Sequence, residues 1–417
     1  MSYQCPFVRP MLLGLLALLL TMGCSESSEG DPVVIDTHDS AVPDVAEDTA
    51  DDVAEDGFDP ENTAQIELPE PLENYAVLET PAHFEVETER FHQQQPLSSS
   101  DNTPADNAIT DQGATLGRVL FYDKNLSANR TVSCSSCHVA EHGFSDSRVL
   151  SLGFEGGETG RHSMGLTNAR YYAGGQFFWD QRAATLEAQV LMPFQDQVEM
   201  GMTLETLVER AEGAPYYPNL FEAAFGDAQI TSERISKALA QFIRSMVSVN
   251  SRYDQGRAQV SARSVDFPNF TAQENRGKLL FSMPPPRGGF GCFVCHQGEG
   301  MVPATATTNG LDATITDRGY GAVTELAGHE GTFKVPSLRN VELTAPYMHD
   351  GRFATLEMVV DHYSEGVQPS PNLTGPLSAS LQFNMTDAEK AELLAFLRTL
   401  TDRELVKDPK FSDPFVK

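Results

Sequence analysis

Two stretches decide how this chain reads: Ser133-Cys134-Ser-Ser-Cys137-His138 and Gly291-Cys292-Phe-Val-Cys295-His296. In each, two thiols stand one helical turn apart and an imidazole follows at once. That spacing lets the thiols reach the two vinyl groups of a porphyrin while the histidine offers a proximal nitrogen to its iron. One such motif in a cytosolic chain could equally hold zinc or cycle as a dithiol. Two of them, each behind an amphipathic helical stretch in an exported chain, point to two covalently bound haem c groups. They use four of the six cysteines; Cys5 and Cys24 lie at the N-terminal end, so none remains for a structural disulfide.

Working outward from the motifs, the pattern is helical. Ala114–Tyr122 places Leu116, Val119 and Leu120 on one face just ahead of the first motif. Met202–Ala211 and Ser232–Val247 are further amphipathic helices, the latter with Ile235, Leu239, Phe242, Ile243 and Met246 at helical spacing behind Thr231 and Ser232. A break is expected over Asn250–Asn269. A second helix then opens at Thr271, with Glu274 three residues on as a capping box, and leads to the second motif. Asp387–Thr399 closes that unit with Ala391, Leu394, Phe396 and Leu397 as its apolar set. Strand signals are sparse. The expected fold is mainly α: two cytochrome c-like haem domains packed together, residues 106–262 and 263–405, with a tail over 406–417.

The N-terminal part has a different character. Arg9 precedes the apolar run Met11–Met22 and then Gly23-Cys24, too short to span a bilayer and suited to the core of a signal peptide over residues 1–23. Cys24 after a small residue predicts a lipid-anchored N-terminus in the periplasm, although Thr21 stands where such sites usually have Leu; the plainer outcome is ordinary cleavage that removes Cys24. Residues 1–89 hold twenty-one Asp and Glu against one basic residue, Arg9, so most of the net charge of −30 sits here. Residues 24–105 read as a disordered acidic tether, a spacer from a membrane surface or a passive solubilising tail. This charge balance argues against nucleic-acid binding, because phosphates would be repelled.

From Gly113 to Thr401 the chain resembles the bacterial dihaem cytochrome c peroxidases and the related MauG-like dihaem enzymes. Besides the two haem motifs, the resemblance rests on Arg161-His-Ser-Met-Gly-Leu-Thr-Asn168, Phe178-Trp-Asp-Gln-Arg-Ala183, Leu186-Glu-Ala-Gln-Val-Leu-Met-Pro193, Val198-Glu-Met200, Val335-Pro-Ser-Leu-Arg-Asn340 and Leu343-Thr-Ala-Pro-Tyr-Met-His-Asp-Gly351. It implies that the haem on His138 meets hydrogen peroxide in a distal pocket formed by Gln189, Pro193 and Glu199, with Glu199 moving a proton between the peroxide oxygens and Gln189 orienting them. A solvated carboxylate at a helix start is the bland alternative for Glu199. Trp179, the chain's only tryptophan, falls where the family places an aromatic between the haems, as electron relay, core anchor or both.

Two departures stand out. The peroxidases carry a distal histidine some sixteen residues after the first haem histidine; that position is Phe154 here, and Ser151–Gly160 holds no histidine. The first haem is therefore expected to be five-coordinate without activation. The peroxidases also place a distal methionine fourteen residues after the histidine that matches His349, and that position is Tyr363. A phenolate there would resemble the His/Tyr ligation of MauG-like enzymes; His362, Met358 or no protein ligand are the alternatives. His349 itself is expected near a haem edge rather than on iron. The family further implies a calcium ion bound by backbone oxygens of Thr344 and Pro346, although His162 replaces the usual asparagine.

Three functions follow. The first is a peroxidase reducing hydrogen peroxide with electrons from a small cytochrome c or cupredoxin. The second is a MauG-like enzyme that oxidises a residue of a partner protein. The third is a non-enzymatic dihaem electron-transfer cytochrome. Monomer and homodimer are both compatible with the sequence.

Overall fold

The computed structural model describes residues 65–85, 96–303 and 305–416. The expected signal peptide, Cys24 and the tether up to residue 64 lie outside the described residues.

Twelve helices are found among the described residues: α1 (Asp111–Tyr122), α2 (Cys134–Cys137), α3 (Leu186–Gln195), α4 (Leu204–Glu212), α5 (Tyr217–Phe225), α6 (Ser232–Ser245), α7 (Arg252–Arg257), α8 (Ala272–Ser282), α9 (Gly321–Thr324), α10 (Leu356–Asp361), α11 (Gly375–Ala379) and α12 (Asp387–Arg398). One two-residue antiparallel pair, β1 (Ala306–Thr307) with β2 (Phe333–Lys334), is the only sheet among them.

The same packing device is used twice. Helix α1 lies on α6, and a Cβ on Gly117 would stand 2.1 Å from the Ala238 carbonyl oxygen. Helix α8 lies on α12, where a Cβ on Gly277 would stand 1.9 Å from the Glu392 carbonyl oxygen. Only glycine admits backbones this close. Around the first pair gather Leu116, Val119, Leu120, Ile235, Leu239, Phe242 and Ile243; around the second, Leu280, Phe281, Leu393, Leu394, Phe396 and Leu397. Leu393 occupies the buried position expected of Ala391, which is exposed. The buried face of α12 runs through Leu393 and Leu397 and is continued by Leu400 just past the helix, which leaves Ala391 outside.

The start signals act as expected where the chemistry is local. Thr231 caps α6, and Thr271 with Glu274 forms a capping box on α8. The stretch Asn250–Asn269 is not wholly a break, because Ser251 and Asp254 make a capping box of their own and start α7.

Two segments depart from their expected character. Residues 65–85 and 96–105, assigned to the tether, pack on the body: Tyr75, His83, Phe84 and Leu97 are all buried. Asp111 Oδ1 accepts from Tyr75 N and Ala76 N, and Tyr75 Oη donates to the Lys410 carbonyl. These few large side chains repay ordering that the acidic average conceals. The tail over 406–417 is likewise anchored. Phe411 sits in the first cluster with Leu405, and Glu67 N and Val416 N donate to Pro414 O and Gln65 O, clasping the two ends of the described chain.

Candidate active site

Helix α2 is a single turn, capped by the Ser133 and Ser136 side chains, that presents Cys134 and Cys137 together. His138 ends it, and its Nδ1 donates to the Phe144 carbonyl at 2.9 Å. Phe144 is fully buried and held at a φ of 60°, a conformation kept for aiming that carbonyl. The second motif repeats the arrangement: His296 Nδ1 bonds to the Pro336 carbonyl at 3.2 Å. A carbonyl on Nδ1 fixes the tautomer and leaves Nε2 as a free, basic donor, the usual outer support of a metal-ligating histidine. Both units thus fit a haem with two thioether anchors and one proximal nitrogen.

A cavity of about 510 Å³ opens beside the first motif, within the range of ligand pockets. Cys134, Cys137 and His138 line it together with Gln189, Pro193, Glu199 and Trp179. Residues that the sequence spreads from Cys134 to Glu199 are thereby brought to one chamber. Thr185 caps α3, which carries Gln189 and Pro193 inward. Proline at 193 has no N–H and so leaves the carbonyl of Gln189 without its helical donor. Beyond the helix, Asp196 Oδ1 accepts from Val198 N and Glu199 N at 2.8 and 3.1 Å. This turn aims Glu199 at the chamber, a role that no spacing in the sequence announced.

Burial, reinforced by the nearby Asp196 charge and opposed by Arg182, raises the Glu199 carboxyl to about 7. A carboxyl poised there can both take and return a proton near neutrality. The loop expected to lack a distal ligand is a closed hairpin: Thr159 N and Gly153 N donate to Ser151 O and Gly157 O. Phe154 N donates to Glu199 O at 3.1 Å, and its ring lies against Gly201. Phe154 therefore buttresses the Glu199 segment.

Trp179 borders this cavity and a second of about 70 Å³. Its indole Nε1 donates to His162 O at 2.7 Å, its carbonyl accepts from Lys334 N at 2.7 Å, and its ring meets His349 edge-on at 6.4 Å. His349 stacks on Phe333 at 3.8 Å, with Nε2 3.8 Å from Asp317. Lys334, another residue that sequence reasoning missed, lines the large cavity with its ammonium 4.0 Å from the Tyr172 ring centre; burial lowers it to about 8.

His162, Thr344 and Pro346 all line the small cavity. Both His162 nitrogens are engaged, Nε2 by Ser145 Oγ and Nδ1 by the Arg148 and Val149 carbonyls. Among the described residues no cluster of three or more His, Cys, Asp or Glu could hold a metal ion, so a cation here would rely on carbonyls and water.

Near the second motif, α10 runs into a π-helical segment, His362–Gly366, of the kind that often marks functional sites. Tyr363 lies within electrostatic reach of Cys292 and Cys295, and burial raises its phenol well above the usual range, with Asn309 bonding to it. His362 Nε2 is engaged by the Asn309 carbonyl at 3.0 Å, and Met358 is 43% exposed. Turning inward would cost His362 that hydrogen bond.

Comparison with known proteins agrees with this geometry. The profile of the di-haem cytochrome c peroxidase family matches residues 111–260. The methylamine utilization protein MauG of Methylorubrum extorquens is 34% identical over 299 residues, covering 71% of this chain and 80% of that protein. Cytochrome c551 peroxidase of Nitrosomonas europaea is 31% identical over 293 residues, 69% of this chain and 79% of that one. A crystal structure of a MauG-like protein associated with microbial copper homeostasis superposes with a TM-score of 0.64 at 34% identity, covering 78% of this chain and 99% of that one. With two haem-attachment units, a cavity set over the first and these relatives, the chain belongs to the di-haem cytochrome c peroxidase and MauG family.

Proposed function

We propose that this enzyme reduces hydrogen peroxide to water at the His138 site, open from the outset, with electrons delivered through the His296 site by a small cytochrome c or cupredoxin. Haem c bound at the two sites supplies an iron that takes peroxide and a second that stores and passes electrons. Glu199, as carboxylate, accepts the proton of the inner peroxide oxygen and returns it to the outer one as the O–O bond breaks. Gln189 holds the outer oxygen by hydrogen bonding, and Pro193 keeps that wall rigid and apolar. Trp179, on the wall of the cavity beside the first motif, relays electrons between the sites. His296 and Tyr363 would hold the iron of the second haem.

The observation that carries this reading is the pairing of Glu199, raised to about 7, with a distal hairpin whose Phe154 is engaged elsewhere. Steady turnover of peroxide with a reduced cytochrome c donor tests it; absence of turnover despite a spectral response to peroxide would exclude it.

The second reading, oxidation of a partner protein's side chain, is favoured by the location of Tyr363 and by the 34% identity to MauG and to the MauG-like protein of copper homeostasis. It predicts slow cytochrome turnover and a covalent change in a partner, read by mass spectrometry. The cavity facing Glu199 weighs against a purely electron-carrying role.

Residues 106–262 and 263–405 serve as the two haem domains in this scheme, resting on the two apolar clusters. A calcium ion on the Thr344 and Pro346 carbonyls, export to the periplasm and a lipid on Cys24 complete the proposal. Among the described residues, no helix is long and apolar enough to cross a membrane.

A further inference from the structure

Peroxide chemistry at the cavity leaves one buried cluster unused. At the start of α5, Tyr216 and Tyr217 both donate their phenolic hydrogens to a single oxygen, Asp123 Oδ2, at 2.8 and 2.6 Å. Their rings are 4.7 Å apart and inclined by 56°. The other carboxylate oxygen accepts from Asn125 N at 2.8 Å. Asp123 is 3% exposed, and burial together with the hydrogen bonds from Tyr217, Tyr216 and Asn125 sets its electrostatics. Burying a carboxylate is costly; the two phenolic hydrogen bonds offset part of that cost, and an apolar trio of similar size would avoid it.

The cluster is graded in depth. Tyr217 is fully buried, in the apolar cluster against which Cys134 packs, and within electrostatic reach of that thiol. Tyr216 is half-buried, its ring edge against Phe415 at 5.8 Å. Burial and then the Asp123 charge raise both phenols far above their usual range. They are therefore neutral at any working pH and can lose an electron readily only if a proton leaves with it. Burial also raises the Asp123 carboxyl, against the pull of the two phenols, which makes it a better proton acceptor.

We propose that Tyr217, Asp123 and Tyr216 form a proton-coupled relay carrying single oxidising equivalents from the first haem site toward the protein surface. The proposal rests on the peroxide reading, since the peroxide-treated haem site is the oxidant. Tyr217 gives one electron to that site and its phenolic proton to Asp123 Oδ2, leaving a neutral tyrosyl radical and a protonated carboxyl. Tyr216 then gives an electron to Tyr217 and its own proton to the carboxyl, while the carboxyl returns the first proton to Tyr217. The net result is a radical on Tyr216 and one proton still on Asp123. An external one-electron reductant, a redox protein or a partner's side chain, restores Tyr216, and Asp123 returns the proton.

The test is freeze-quench EPR of the ferric holoprotein mixed with peroxide and no donor, with haem absorbance followed in the same mixture. A tyrosyl signal is expected whose hyperfine splitting collapses in protein grown on ring-deuterated tyrosine. Tyr217→Phe should abolish it. Asp123→Asn keeps a hydrogen-bond acceptor but removes the proton acceptor, and should lower the radical yield about tenfold or more. Tyr216→Phe should retain a radical on Tyr217 but slow its reduction by an added donor. A haem response with no tyrosyl signal, or with a signal unchanged by Tyr217→Phe and Asp123→Asn, overturns the relay and leaves the peroxide reading standing. No haem response at all overturns both.

Discussion

The two halves of this protein begin alike and end differently. Each presents a Cys-x-x-Cys-His turn behind a helix that crosses its partner at a glycine, and each histidine is locked through Nδ1 by a backbone carbonyl. Across from His138 stands a chamber with a carboxyl tuned toward neutrality; near the second motif stands a phenol on a π-helical turn. The proximal chemistry is a repeated local device, and reactivity is set by what the rest of the chain brings to the opposite face. In the proposed scheme the first site would stay open for chemistry and the second, with Tyr363 near its motif, would hold charge.

That contrast can be tested from either half. Glu199→Gln should slow the reaction with peroxide by about 10²–10⁴-fold while leaving haem attachment intact, followed by stopped-flow absorbance. Because the carboxylate is the form that accepts the proton, the wild-type rate should climb as pH rises through about 7 and level off above it; the variant should lose that step. An unchanged rate would remove Glu199 from the mechanism.

A buried charge network ties the second half to α7 and to the segment before residue 106. Arg339 forms two hydrogen bonds to Asp254, at 2.7 and 2.9 Å, and His83 bonds to the same carboxyl at 3.2 Å. Burial alone would raise the Asp254 carboxyl, but the Arg339 charge and the hydrogen bonds from His83 and Arg339 hold it well below the usual range. Its contribution to stability is thus present above the unfolded-state pKa and lost as pH falls through the lower folded-state value. Asp254→Ala strands Arg339 and should cost about 3–5 kcal/mol by denaturant titration; a cost within error of zero would refute the network's role.

Tyr363→Phe should raise the second site's reduction potential by on the order of 0.1 V, within the roughly 0.8 V that axial ligands command, with the first site's spectrum unchanged. A shift at the first site instead would reverse the assignment. Tyr75→Phe removes the bond to the Lys410 carbonyl and the interaction of the hydroxyl with Arg118 and should cost about 1 kcal/mol, the smallest of these effects.

What the sequence disclosed follows from locality. The haem motifs, the Thr271–Glu274 capping box and the stripe on α6 are contiguous or periodic, so their chemistry is readable along the chain. Gln189, Pro193 and Glu199 were legible only through resemblance to a family, because nothing in their spacing says that they face Cys134 across a cavity. Asp196, Lys334 and the Asp123–Tyr216–Tyr217 cluster stayed hidden, since each gains its meaning from partners distant in sequence or from a turn no pattern marks. The same holds for Tyr75 and Phe411, which lie in segments read from composition as tether and tail yet pack into the first core.

The most direct measurement of this asymmetry is EPR of the ferric holoprotein before any peroxide is added. An open His138 iron and a capped His296 iron predict one high-spin and one low-spin signal of equal weight. Two low-spin signals, unchanged on adding peroxide, would contradict the account.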